Sequence, residues 1–288
     1  MAKIEIDGAD VQAVSPEGKT GSMPLDQFLA KVNPRRLDAG EVIFPDGVKS
    51  VRSEGGVSIV VHETAPRVYN LKWIAQNSPA PFGGGTKYRS VRIALPYLVT
   101  LLVFRNGPAA QGLMLSEYNE CFFRNAPLES WDDELLFPAL LNCSKFTPPD
   151  GRPLSWICTQ HLNYAALLKE PSPGRRLRAG FRALMHCLLE AGFNYSSENH
   201  EGASWFGESC RVDPRVATID AWQEATTKDP LFTLEVPWLK TDHSLAQIVE
   251  RIFRNLGALQ AAPVSSAALA RHVFNYQPAT TAGNGKKT

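Results

Sequence analysis

Apolar residues recur at two periods along this chain, and the change from one to the other divides it. Between residues 55 and 147 the period is two. Val57, Ile59 and Val61 alternate with Ser58, Val60 and His62, and a second run, 68–74, follows Pro66. A loop rich in Pro and Gly at 78–85 leads into 88–104. That β-branched, apolar stretch predicts central strands broken at Pro96, since proline cannot donate to a ladder. Asn106-Gly107 predicts a tight turn, because both residues tolerate the positive φ it needs, and 113–124 returns as the partner strand. After residue 170 the spacing becomes helical. Leu177, Phe181, Leu184 and Leu188 share one face, with Gly192 where a left-handed cap belongs. Asp213-Pro214 opens a second helix that runs to about Lys228. In the third, Ser244 and Gln247 form a capping box and Gly257 is the stop. Leu245, Ile248, Val249, Ile252, Phe253 and Leu256 make its one apolar stripe.

Strands first and helices after predict an α+β fold, an antiparallel β-meander sheet followed by C-terminal helices, rather than an alternating βαβ sheet. Residues 1–45 read as an N-terminal leader: Ile4 and Ile6 alternate with polar residues, Glu17-Gly18 marks a turn, and 24–32 is a short amphipathic helix. Residues 46–258 carry the core. Residues 259–288, rich in Ala, Ser, Thr, Gly and Pro, are expected to form a flexible tail.

Thirty Lys and Arg against 29 Asp and Glu leave a net charge of +1 over 288 residues. No standing positive field therefore calls for nucleic acid or acidic lipid as a partner. No window reaches the roughly 20 apolar residues of a membrane helix, and the start, MAKIEIDGAD, lacks the basic and apolar segments of a secretory signal. Cys121, Cys143, Cys158, Cys187 and Cys210 follow no repeating spacing, which fits reduced thiols better than a disulfide framework. The expectation is a cytoplasmic protein, and nothing in the sequence implies a cofactor.

Several motifs invite chemistry and have plainer explanations. Gly83-Gly84-Gly85-Thr86-Lys87 imitates a phosphate loop, but Tyr88 and a strand follow Lys87 where Ser or Thr and a helix are needed, so a hairpin loop is expected. Cys143, Cys158 and His161 lack a second close pair to complete a tetrahedral metal site, and Cys187 shares a helix face with Leu184 and Leu188, as a core residue would. His200-Glu201 lacks the second histidine of a zinc peptidase helix. Arg175, Arg176, Arg178 and Arg182 crowd a helix start, where cations oppose the dipole. They form either a solvated face or a docking surface for an acidic protein.

The stretch 122–162 is the most informative. An acidic turn (Glu129, Asp132, Asp133, Glu134) precedes Leu-Phe-Pro-Ala-Leu-Leu-Asn at 136–142, and a Pro/Gly loop at 147–153 precedes Ser-Trp-Ile-Cys at 155–158. An asparagine amide beside a thiol can stabilise the oxyanion formed when the thiol or its thioester reacts. The arrangement resembles the ubiquitin-conjugating-enzyme fold, and in particular its divergent bacterial branch. In that family a strand meander ends in a proline-led segment closing on His-Pro-Asn, and a turn with Gly and an Ile-Cys-Leu segment follow. The resemblance implies Asn142 as the triplet asparagine, Gly151 as the turn glycine and Cys158 as the nucleophile that carries a ubiquitin-like protein as a thioester. It covers residues 50–255 loosely. Leu140 and Leu141 replace the His and Pro of the triplet, Thr159 replaces Leu, and Asn142 and Cys158 stand sixteen residues apart, wider than in the family.

Two functions follow from the resemblance. One is a thioester-carrying conjugating enzyme whose partners are a ubiquitin-like protein and its activating enzyme, with Asp132, Asp133 and Glu134 helping to deprotonate the incoming lysine. The other is a catalytically inactive binding or assembly module that works through loops around Trp131 and Trp205 and the basic helix start. An unrelated α+β protein with five structural thiols is a third reading.

Overall fold

In the computed structural model the described residues are 3–7, 10–15, 18–25, 27–28, 44–74, 85, 87–106, 113–140, 142–144, 153–159, 162–170, 172–190 and 205–257. The chain divides into two units, one built on residues 42–260 and one that holds the N-terminal strands. In the smaller unit β1 (Lys3–Asp7), β2 (Asp10–Ser15) and β3 (Gly18–Pro24) form an antiparallel sheet. Its apolar face buries Val11 and Phe28 against Ile4, Met23 and Leu25. Residues 25, 27 and 28 are helical, so helix is not confined to the C-terminal half.

The larger unit is an α+β domain around one antiparallel sheet. Its strands are β4 (Val48–Glu54), β5 (Val57–Thr64), β8 (Tyr97–Asn106), β10 (Glu120–Arg124), β13 (Trp156–Ile157) and β12 (Cys143–Ser144), in that spatial order. Between β5 and β8 the chain makes a separate ribbon, β6 (Arg67–Ile74) with β7 (Tyr88–Leu95). The pairing register runs unchanged from one ladder into the other, from Thr64↔Leu98 to Arg67↔Leu95, so Pro66 stands opposite Pro96 at the break. Neither proline can donate a ladder hydrogen bond, and one long hairpin is thereby split in two.

Strand β8 is apolar on both faces because helices cover both. On one face Val99, Leu101 and Val103 meet Leu245, Ile248, Val249, Ile252 and Phe253 of α5 (Leu245–Asn255). The capping box of Ser244 and Gln247 is formed, and Gly257 takes φ +72°, a left-handed stop. Each large side chain of that stripe contributes roughly 1.5–3 kcal/mol by burial. On the other face Leu98, Leu102 and Phe104 share a core with Leu177, Leu184 and Leu188 of α2 (Pro173–Leu189) and with Trp222 of α4 (Ile219–Lys228). Helix α4 also closes the free edge of β7. Thr226 accepts from the Ala94 N–H, Gln223 from the Arg92 N–H, and the Trp222 indole donates to the Ala94 carbonyl. Two short helices, α1 (Tyr164–Leu168) and α3 (Phe206–Ser209), flank α2 in sequence.

Three expectations are revised. The partner strand at 113–124 is two strands, β9 (Leu113–Leu115) and β10, both on β8. Between them Asn119 accepts the Val103 N–H and donates to the Ser116 carbonyl, so a side chain does a backbone's work where the ladder is interrupted. The helix expected from Asp213 to Lys228 is a 3₁₀ turn, Pro214–Val216, and then α4, because the Thr218 hydroxyl accepts the Ala221 N–H and starts a new helix there. A strand, β14 (Lys240–Ser244), also follows the helices and pairs with β11 (Glu134–Leu136), so the second half is not helical throughout. Gly192 and the tail at 259–288 lie outside the described residues.

Candidate functional site

Strands β12 and β13 flank the Pro/Gly loop and pair antiparallel, Cys143 with Ile157 and Ser144 with Trp156. This pairing brings Asn142 beside Cys158 across sixteen residues of chain. The Cys158 N–H donates to the Asn142 carbonyl at 3.0 Å, and the Asn142 amide nitrogen donates back to the Cys158 carbonyl at 3.4 Å. The same nitrogen donates to the carbonyl of Cys187 on α2. Both amide hydrogens are therefore committed to backbone, and Asn142 ties the end of β13 to the helix.

The thiols of this corner differ. Cys158 is half-buried, whereas Cys121, Cys143, Cys187 and Cys210 are buried. Burial, and then the neighbouring Cys158 thiol, push Cys187 up to about 11, so it stays protonated and unreactive at neutral pH. Burial, reinforced by the adjacent Cys143 thiol, likewise holds Cys121 well above the usual thiol range. Beside Cys158, the Tyr164 hydroxyl donates to Thr159 Oγ1 at 2.9 Å, and burial raises that phenol. Cys158 thus stands near the Tyr164–Thr159 hydroxyl pair and the protonated Cys187 thiol.

The β13 segment is held from below by Glu120, which is 1% exposed. Its carboxylate accepts from the Leu154 and Ser155 N–H groups at 3.0 and 3.3 Å and from Arg251 of α5 at 2.6 Å. Trp205 stacks on Phe137 at 3.5 Å, with its indole donating to the Leu154 carbonyl and its backbone N–H to the Cys143 carbonyl. Trp205 is buried, and Trp131 is partly buried and packs against the α5 core.

The acidic turn has its own partners. Although burial alone would raise it, the N–H groups of Glu129 and Ser130 and the Arg124 guanidinium hold the Asp133 carboxyl below its ordinary range. Glu134 pairs with Lys240 at 3.2 Å, and Asp132 is exposed. None of these recorded contacts reaches Cys158. On α2, Arg175, Arg178 and Arg182 are exposed, while Arg176 donates to the Glu170 carbonyl at 2.8 Å. Lys87 runs directly into β7.

His161, His200 and Gly151 lie outside the described residues, and among the described residues no cluster of three His, Cys, Asp or Glu side chains is placed to hold a metal. No helix among them is long and apolar enough to cross a membrane. The contact of Cys187 with Cys158 escaped the sequence reading. The helical spacing that puts Cys187 on a core face does not say which segment packs there. Compared with protein-family models, curated proteins and solved structures, the chain matches none.

Proposed function

We propose that this chain is a thioester-carrying conjugating enzyme for a ubiquitin-like protein in a bacterial conjugation pathway, with Cys158 as its nucleophile and the ubiquitin-conjugating-like fold as its scaffold. The Cys158 sulfur attacks the thioester carbonyl of a ubiquitin-like protein held by its activating enzyme. A carbon–sulfur bond forms, and the activating enzyme's thiolate leaves with the electron pair. In the second transfer a lysine amine attacks the new thioester, Cys158 leaves as thiolate, and the amine proton passes to solvent. Thioester exchange needs no charged base, because thiol and leaving group are alike. The observation that carries the reading is the β12–β13 hairpin, which sets the least buried of five cysteines next to an asparagine. Asn142 serves the oxyanion only if one of its two backbone bonds opens as the thioester arrives.

That commitment of both amide hydrogens favours a second reading, a non-catalytic binding or assembly module with the same architecture. One experiment separates the two. The protein is incubated with a ubiquitin-like protein, its activating enzyme and ATP, and run on a non-reducing gel. A reductant-sensitive adduct that Cys158→Ser abolishes is the result expected of the enzyme. An adduct that survives Cys158→Ser, or none at all while the activating enzyme is charged, leaves the assembly reading.

A further inference from the structure

Resting on the role given above to Cys158, we propose that Glu120 is its positioning residue. The buried carboxylate locks the register in which the chain re-enters the sheet after the Pro/Gly loop, and so fixes that Cys158, rather than a neighbour in sequence, stands beside Asn142.

The ladders that carry Cys158 are short. Strand β13 pairs with β12 through two residues and with β10 through one, Trp156 opposite Glu120. The Ile157 N–H donates to the Asn119 carbonyl, and the Cys121 N–H to the Ser155 carbonyl. Such backbone bonds are open to any residue with an amide, so they hold the strand without choosing its register. A slip of one residue turns every side chain to the opposite face. Here it would carry Ile157, which is wholly buried, out of the core and move Cys158 away from the Asn142 carbonyl.

Glu120 makes the choice. One of its oxygens accepts from the Leu154 and Ser155 N–H groups in succession, at 3.0 and 3.3 Å. A slip in one direction would bring Pro153 to the first of these places, and proline has no N–H to give. The acceptor is itself fixed: Glu120 is 1% exposed, and a single guanidinium nitrogen of Arg251 reaches both carboxylate oxygens, at 2.6 and 2.7 Å. Arg251 belongs to α5, whose Ile252 and Phe253 are buried in the core beneath β8. A buried ion pair is a poor stabiliser, because the cost of desolvating both charges offsets much of their attraction, and apolar side chains of similar volume often serve stability as well. Fixing a register is the use for which such pairs are best attested.

The test compares the full-length wild type with two double variants. Glu120→Leu with Arg251→Met replaces the pair by apolar side chains; Glu120→Gln with Arg251→Met removes the charges but keeps an oxygen for the two N–H groups. Amide hydrogen exchange by NMR reads the Cys158 N–H, with the β5–β8 ladder as the internal reference, and iodoacetamide reads the Cys158 thiol. In the first variant the Cys158 amide is expected to exchange at least about tenfold faster, the scale of one lost hydrogen bond, and the alkylation rate to change as much, while the β5–β8 amides keep wild-type protection. The second variant stays within about threefold of wild type in both. Wild-type behaviour of Cys158 in the first variant overturns the proposal, as does equal loosening in both variants. So does loss of β5–β8 protection or of folding in the first variant, which would make Glu120 a general structural residue. Neither readout needs a ubiquitin-like protein. A wild type that forms no thioester removes the conjugating reading and leaves the lock to be read, whereas a charged wild type with any of the overturning results removes the lock alone.

Discussion

Asn142 and His62 are both almost buried, 7% and 4% exposed, yet their surroundings treat them in opposite ways. Asn142 spends its carbonyl on the Cys158 N–H and both amide hydrogens on the Cys158 and Cys187 carbonyls, so its backbone and side chain work as one clamp between β13 and α2. His62 spends one ring nitrogen on the Asp46 carbonyl and leaves the other buried with no hydrogen-bond partner among the described residues. Saturated hydrogen bonding is what a structural polar residue shows, and His62 departs from it at one ring nitrogen. The comparison assigns rigidity to the Cys158 corner and less complete polar pairing to the His62 corner, with α2 packed against both.

Asn142→Ala breaks the comparison most severely. It removes the amide's hydrogen bonds from the buried Cys187 carbonyl and the partly buried Cys158 carbonyl and is expected to cost about 2–6 kcal/mol, at 1–3 for each group, read from urea denaturation. A loss below about 1 kcal/mol means that the clamp is not structural and that the amide is free for catalysis. Gly47→Ala comes next. Gly47 has φ +90°, and a Cβ there would lie 2.4 Å from the Glu63 carbonyl oxygen and 2.8 Å from His62 Nε2. Strained backbone of this kind costs of order 1–3 kcal/mol. Differential scanning calorimetry checks the effect.

His62→Phe is expected to cost about 1 kcal/mol, because it deletes the hydrogen bond between Nε2 and the Asp46 carbonyl while the ring still packs on Phe181. No loss at all would mean that the Asp46 bond contributes nothing to the folded state. The smallest effect is in pH. Burial lowers the His62 pKa, opposed by the Asp46 bond and the Glu63 charge. Its folded value therefore lies below the unfolded one, near 6.5. The neutral ring's contribution is full above pH 6.5 and is lost as pH falls through the lower, folded value. Wild type should lose stability in that window more steeply than His62→Phe. Identical slopes in the two proteins contradict a buried, neutral imidazole.

Local signals in the sequence carried much of this architecture. The α5 stripe, its capping box and Gly257 are all decided within one helix, and Pro96 breaks its strand wherever the strand lies. What depended on distant partners was hidden. Asn119 splits β9 from β10 because it finds the Val103 N–H, and the opposition of Pro66 to Pro96 emerges only when β5 finds β8. At the candidate site, the types and order of Asn142 and Cys158 were legible, but their adjacency rests on a hairpin around a Pro/Gly loop. The partner that occupies the Asn142 amide, the Cys187 carbonyl, comes from a helix 45 residues away and left no mark in the spacing. The surroundings of His62 were hidden for the same reason: the alternation that sets His62 on β5 says nothing of Phe181 or Asp46.

The functional account depends on chemical access to one sulfur. Brief alkylation of the native protein with iodoacetamide, followed by peptide mass mapping, reads all five cysteines in one experiment. The account expects Cys158 to label first, with Cys121, Cys143, Cys187 and Cys210 protected until denaturant is added. Protection of Cys158 equal to that of the four buried thiols would contradict it.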